Sequence, residues 1–79
     1  MVRATHIHRE GNIVSLLVEV VTGGNPVYIM EIDIKSREIR RCTAPRAHYN
    51  FFCTKVFHHI MGIIDAGEEL PENFVLGFY

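Results

Sequence analysis

The sequence predicts an α+β domain: an antiparallel β-meander of three to four strands, then one long amphipathic helix packed on one sheet face, then a short C-terminal strand or docking tail. Three observations carry that expectation. Residues 13–22 and 27–35 alternate apolar and polar with a period of two, the spacing of a strand with one buried face. Residues 44–66 change to the 3.6-residue period of a helix with one apolar side. Only short turn signals separate these blocks, with no linker, repeat or low-complexity tract, so residues 1–79 read as one domain.

Taken in order, residues 2–9 form the least regular strand, and Glu10-Gly11-Asn12 turns the chain because Gly and Asn accept positive φ at low cost. Val14, Leu16, Val18 and Val20 then share one strand face. Gly23-Gly24-Asn25-Pro26 interrupts the pattern, and Pro26 would remove a ladder donor from any strand interior. Tyr28, Met30, Ile32 and Ile34 resume it, with Glu31, Asp33 and Lys35 facing the other way, so the two runs make a hairpin. After a turn at Lys35-Ser36-Arg37, residues 38–42 carry one large apolar side chain, Ile39. Such a short, charged strand suits a sheet edge.

Thr43 offers an N-cap and Pro45 fits the first helical turn, where a missing N–H costs nothing. Tyr49, Phe52, Cys53, Val56, Phe57, Ile60, Ile63 and Ile64 line the apolar side of the helix, and Gly67 ends it. Residues 74–79 close the chain with strong β character, as a final strand or as an apolar tail that docks elsewhere.

Composition narrows the function. An apolar fraction of 48% supplies a core. The N-terminus has no apolar leader and no segment reaches the ~20 apolar residues of a membrane span. The expectation is therefore a cytoplasmic chain with reduced thiols and no membrane. Cys42 and Cys53 allow at most one bridge within the chain and read as buried, inert thiols. A net charge of −1 speaks against phosphate backbone as the main target.

Catalytic signals are weak. His48 and Cys53 lie about 140° apart around the helix, too far to act as base and nucleophile. The Gly23–Pro26 stretch lacks the spacing and the Lys-Ser/Thr of a phosphate-binding loop. Enzyme activity and a cofactor are therefore not expected. Of the five histidines, His6 and His8 sit two apart on a predicted strand, hence on the same face, a spacing able to put two imidazoles on one metal ion. They are weak candidate metal ligands, because zinc needs a third or fourth ligand that no local motif supplies.

A partner is expected on geometric grounds. A helix about 10–12 Å across is narrower than four strands spaced ~4.8 Å apart. Ile13, Leu17, Val21, Val27 and Ile29 also make the second sheet face partly apolar, and uncovered apolar surface marks interfaces. The first reading is a small non-catalytic protein–protein interaction domain, an adaptor, regulator or inhibitor, forming a homodimer or meeting another protein. Its partner-binding residues would be Arg37, Arg40, Arg41, Arg46, Phe51, Phe74, Leu76, Phe78 and Tyr79. The alternatives are a nucleic-acid-binding domain using the arginine-rich sheet edge, where arginine holds phosphate and an exposed aromatic stacks a base, and a small metal-binding protein.

Overall fold

Val14, Leu16, Val18 and Val20 are all buried on one side of β2 (Ile13–Val20), and this alternating run forms the middle of the sheet. The computed structural model describes residues 1–77. Around β2 lie β1 (Val2–Glu10), β3 (Val27–Asp33), β4 (Glu38–Cys42) and β5 (Phe74–Leu76). All pairings are antiparallel, in the order β4-β3-β2-β1-β5. The meander of β1 to β4 and the helix after it match the α+β expectation. The C-terminal strand exists, and it pairs with β1. No helix among the described residues is long and apolar enough to cross a membrane.

The core lies between the sheet and the helix. Val2 and Ala4 of β1 and Met30 and Ile32 of β3 flank the β2 residues on the same face, and Cys53, Val56, Ile60 and Met61 of the helix cover them. The helix, α1, follows β4 and is built in three parts: an α-helical turn Arg46–His48, a π-helical turn Tyr49–Cys53 and an α-helical run Thr54–Asp65. Its C-terminus follows the sequence expectation. Gly67 has φ +71°, and the Gly67 and Glu68 amides donate to the carbonyls of Ile64 and Ile63, the paired bonds of a Schellman ending.

The N-terminus differs from expectation. Pro45, with extended φ and ψ, is the residue before the first turn, and no side chain caps it. Thr43 serves the sheet instead. Its amide donates to the Ile29 carbonyl and its Oγ1 accepts the Ile29 amide proton, so β3 keeps a partner one residue past the end of β4. The π-helical turn also departs from the uniform 3.6-residue period expected for 44–66. A π turn takes in an extra residue and rotates whatever follows by about 100° relative to a regular helix.

Two bulges account for the strands whose patterns read poorly. In β1, Thr5 faces Leu17 and His8 faces Ser15, so His6 and Ile7 together oppose one residue of β2. His6 absorbs the excess with φ +54°. Ile7 thereby points to the core, and His6, which regular alternation would bury beside Ala4, stays outside. In β4, Arg41 faces Glu31 while Ile39 faces Ile32, leaving Arg40 as the extra residue on an edge strand. A bulge with charge at a sheet edge discourages pairing with another chain.

The return to β5 also changes where apolar surface is left over. Leu70, Phe74 and Leu76 pack against the core on the helix side of the sheet. They extend the cover that the helix alone is too narrow to give. On the opposite face Val27, Ile29 and Val75 stay exposed, and Phe51 is exposed on the helix.

Candidate functional site

Strand registers define that opposite face row by row. Val75, Arg3, Glu19 and Val27 form one row, and Thr5, Leu17 and Ile29 form the next, with Thr43 hydrogen-bonded beside Ile29. His8, Ser15, Glu31 and Arg41 make a third row. Among the described residues, no element packs over these rows. Val27, Ile29 and Val75 are 54%, 42% and 51% exposed, against zero for Met30 and Ile32 on the inner side of β3.

The charges on this face pair with one another. Arg3 Nη1 donates to Glu19 Oε1 at 2.8 Å, and Arg41 Nη1 lies 4.0 Å from Glu31 Oε2. Asp33 Oδ1 accepts the amide protons of Lys35 and Ser36, which shapes the β3–β4 turn. Leu17, Val27 and Ile29 thus sit between internally neutralised pairs. An apolar centre inside a polar rim is the usual anatomy of a protein contact.

The fold spreads the four arginines over separate elements. Arg37, in the β3–β4 turn with φ +60°, donates from both Nη atoms to the Asp65 carboxylate at 2.9 Å, tying that turn to the end of α1. Arg41 faces Glu31. Arg40 at the bulge and Arg46 in the first helical turn are exposed, and no partner is recorded for either among the described residues. Phe51 is 56% exposed on the helix, packed edge-on against Phe52 at 4.9 Å, with Lys55 Nζ 5.8 Å from its ring centre. Phe74 and Leu76 turn inward, and Phe74 stacks tilted on His59 at 4.4 Å. Phe78 and Tyr79 lie outside the described residues.

The Arg37–Asp65 pair makes a pH-dependent link. Hydrogen bonds from the guanidinium, helped by its charge and opposed by slight desolvation, hold the Asp65 carboxyl below the usual carboxylate range. A carboxyl with a depressed folded pKa stabilises the fold above about pH 4, and that contribution is lost as acid lowers the pH through the folded value. Asp65→Asn is therefore expected to flatten the fall in urea midpoint between about pH 5 and pH 2. Both side chains are more than half exposed, so the effect is small and shrinks in salt. An acid limb of unchanged slope in the variant would rule the link out.

The histidines do not form the pair that regular alternation implies. His6 occupies the bulge, with its Nδ1 3.2 Å from Thr5 Oγ1, while His8 lies on the outer face with Nε2 3.8 Å from Glu10 Oε2. Among the described residues, no group of three or more His, Cys, Asp or Glu gathers to hold a metal ion. His48 bridges sheet and helix. Its Nδ1 shares a 2.6 Å hydrogen bond with the Tyr28 hydroxyl, and its ring meets Phe52 edge-on at 5.5 Å.

The two thiols, by contrast, do meet. Cys42 Sγ donates to Cys53 Sγ at 3.5 Å, joining β4 to the π-helical turn. Burial, reinforced by the hydrogen bond and charge of Cys42, pushes the Cys53 thiol up to about 12.

Comparison with protein families, with curated proteins and with solved structures finds no match to this chain. Its function must be argued from its own surface.

Proposed function

We propose that this chain is a non-catalytic protein-binding domain, a cytoplasmic adaptor, regulator or inhibitor, that meets its partner on the open sheet face and first of all pairs with a second copy of itself. The observation that carries the reading is the exposure of Val27 and Ile29, beside a partly buried Leu17, on the outer face of the sheet. On the opposite face of the same strands Val14, Leu16, Val18, Met30 and Ile32 are buried. Exposed apolar side chains at consecutive outward positions of central strands favour association over solvation. Because the neighbouring charges are already paired within the chain, a second copy brings no unmatched charge to the contact. A two-fold arrangement then buries the same patch twice.

Arg46 and Phe51 are exposed in the first two turns of α1, and Arg40 is exposed at the bulge of edge strand β4. They remain a second contact region for a partner bearing carboxylates.

Light scattering of the full chain tests the reading. The wild type is expected at about twice 9.1 kDa. Ile29→Glu would place an unpaired charge in the contact, and it is expected to weaken association by about 100-fold. Ile29 is half exposed in the single subunit, so that variant should keep the wild-type urea midpoint. A monomeric wild type, or an Ile29→Glu chain that still dimerises, would remove the sheet face from consideration. Binding to generic DNA or RNA that falls steeply with salt would favour the nucleic-acid alternative.

A further inference from the structure

The thiols of Cys42 and Cys53 occupy positions that no local sequence motif joins, yet their sulfurs lie 3.5 Å apart. Cys42 pairs with Met30 at the end of edge strand β4 and is half exposed, whereas Cys53 ends the π-helical turn and is fully buried. Cys53 shares the buried side of α1 with Val56 and Ile60, which turns its thiol toward the sheet. A bridge has an S–S distance of about 2.05 Å, so closure asks the sulfurs to approach by roughly 1.5 Å.

We infer that Cys42 and Cys53 are a reversible oxidation site: a dithiol that low-molecular-weight disulfides of the glutathione class convert to an intramolecular bridge linking β4 to α1. Cys42, the accessible sulfur, attacks as its thiolate. The small disulfide's S–S bond breaks, one small thiolate leaves and takes a proton from water, and a mixed disulfide remains on Cys42. Cys53 then loses its proton to solvent and attacks the Cys42 sulfur. The mixed S–S bond breaks and the second small thiolate departs, also to be protonated. Overall, two protein S–H bonds and one small S–S bond become one protein S–S bond and two small thiols. The two protein sulfurs are oxidised and the small disulfide is reduced by two electrons. Protein disulfides that form in a reducing compartment are usually transient and redox-sensing, and this one would hold the start of α1 on the sheet edge. The inference is independent of the sheet-face dimer.

The buried partner makes the closing step slow at neutral pH. Burial alone holds the Cys53 thiol above the usual thiol range once Cys42 is in the mixed disulfide, so its reactive fraction grows about tenfold for each pH unit between roughly 7 and 9. Decay of the mixed disulfide should accelerate by the same factor.

The test treats the full reduced chain with mixtures of glutathione and its disulfide, quenches with acid, and reads thiol count and intact mass. The wild type is expected to fall from two free thiols to none, lose two hydrogens in mass and carry no glutathione, with a peptide joining residues 42 and 53 after digestion. Cys53→Ser is expected to stop at one retained glutathione on Cys42. Should that buried substitution disturb folding, Cys42→Ser provides the second reading, with Cys53 reacting at least about tenfold more slowly than wild-type Cys42. A wild-type chain that keeps both thiols, retains glutathione adducts, or bridges only between chains would overturn the inference.

Discussion

Ile60→Ala is expected to cost about 2–5 kcal/mol of folding stability, the largest effect of any single truncation proposed for this chain. A domain of this length holds roughly 4–12 kcal/mol in all, at about 0.05–0.15 kcal/mol per residue. The variant would thus sit close to unfolding at room temperature. The reason lies in how the helix is held. Among the described residues α1 buries completely or nearly so only Cys53, Val56, Ile60 and Met61, and these four side chains seal the inner faces of β1, β2 and β3. Removing the Ile60 side chain leaves a cavity in the core between helix and sheet, which close-packed neighbours fill only by leaving their rotamers. Urea unfolding followed by far-ultraviolet circular dichroism measures the loss. A change below about 1 kcal/mol would mean that the helix is anchored mainly elsewhere.

The parts of the fold legible in the sequence are those governed by one local period. Val14 to Val20 and Tyr28 to Ile32 alternate without interruption, so their inner and outer faces could be assigned before any contact was known. The outward set of Ile13, Leu17, Val21, Val27 and Ile29 follows from the same alternation, which makes the candidate surface readable too. Features that depend on a change of period were not. The bulge at His6 puts a non-glycine residue at φ +54°, a conformation with no compositional signal, and it reverses the facing of Ile7 and His8. The π turn at Tyr49–Cys53 breaks the uniform helical period, and Met61, absent from the apolar stripe read from the sequence, is also buried.

Long-range pairings were hidden for another reason. Arg37, Arg40, Arg41 and Arg46 look like one cluster along the chain. Arg37 is nonetheless claimed by Asp65, 28 residues away, and Arg41 faces Glu31 across the strands. Cys42 and Cys53 belong to different element types, so neither strand nor helix periodicity predicts that they touch. Thr43 and Pro45 carry sound helix-start chemistry. The β3 amide at Ile29 takes the Thr43 hydroxyl all the same, and that cross-strand bond holds Thr43 in the sheet, away from the helix start.

Replacing Phe74 and Leu76 together with alanine is expected to cost about 3 kcal/mol or more, taking roughly half the loss of fully buried sites because each is half-buried. The sequence allowed these residues either a place in their own sheet or a role as a free apolar tail. Their pairing with Ala4 and Val2 and their packing on the core favour the first. The double variant should therefore lose amide-exchange protection along β1, whose outer edge β5 covers, and the freed edge should promote aggregation. Val75→Ser changes only the outward-facing side chain between them. It is expected to leave stability within about 0.5 kcal/mol while removing apolar area from the proposed contact. If the double variant instead unfolds at the wild-type urea concentration, β5 contributes nothing to the subunit, and its apolar side chains become available to a partner after all. For the same reason, deleting the chain beyond Asn73 cannot serve as a test of association: it strips the core before it touches the open face. Substitutions at Ile29 and Val75, which point away from that core, separate the two roles.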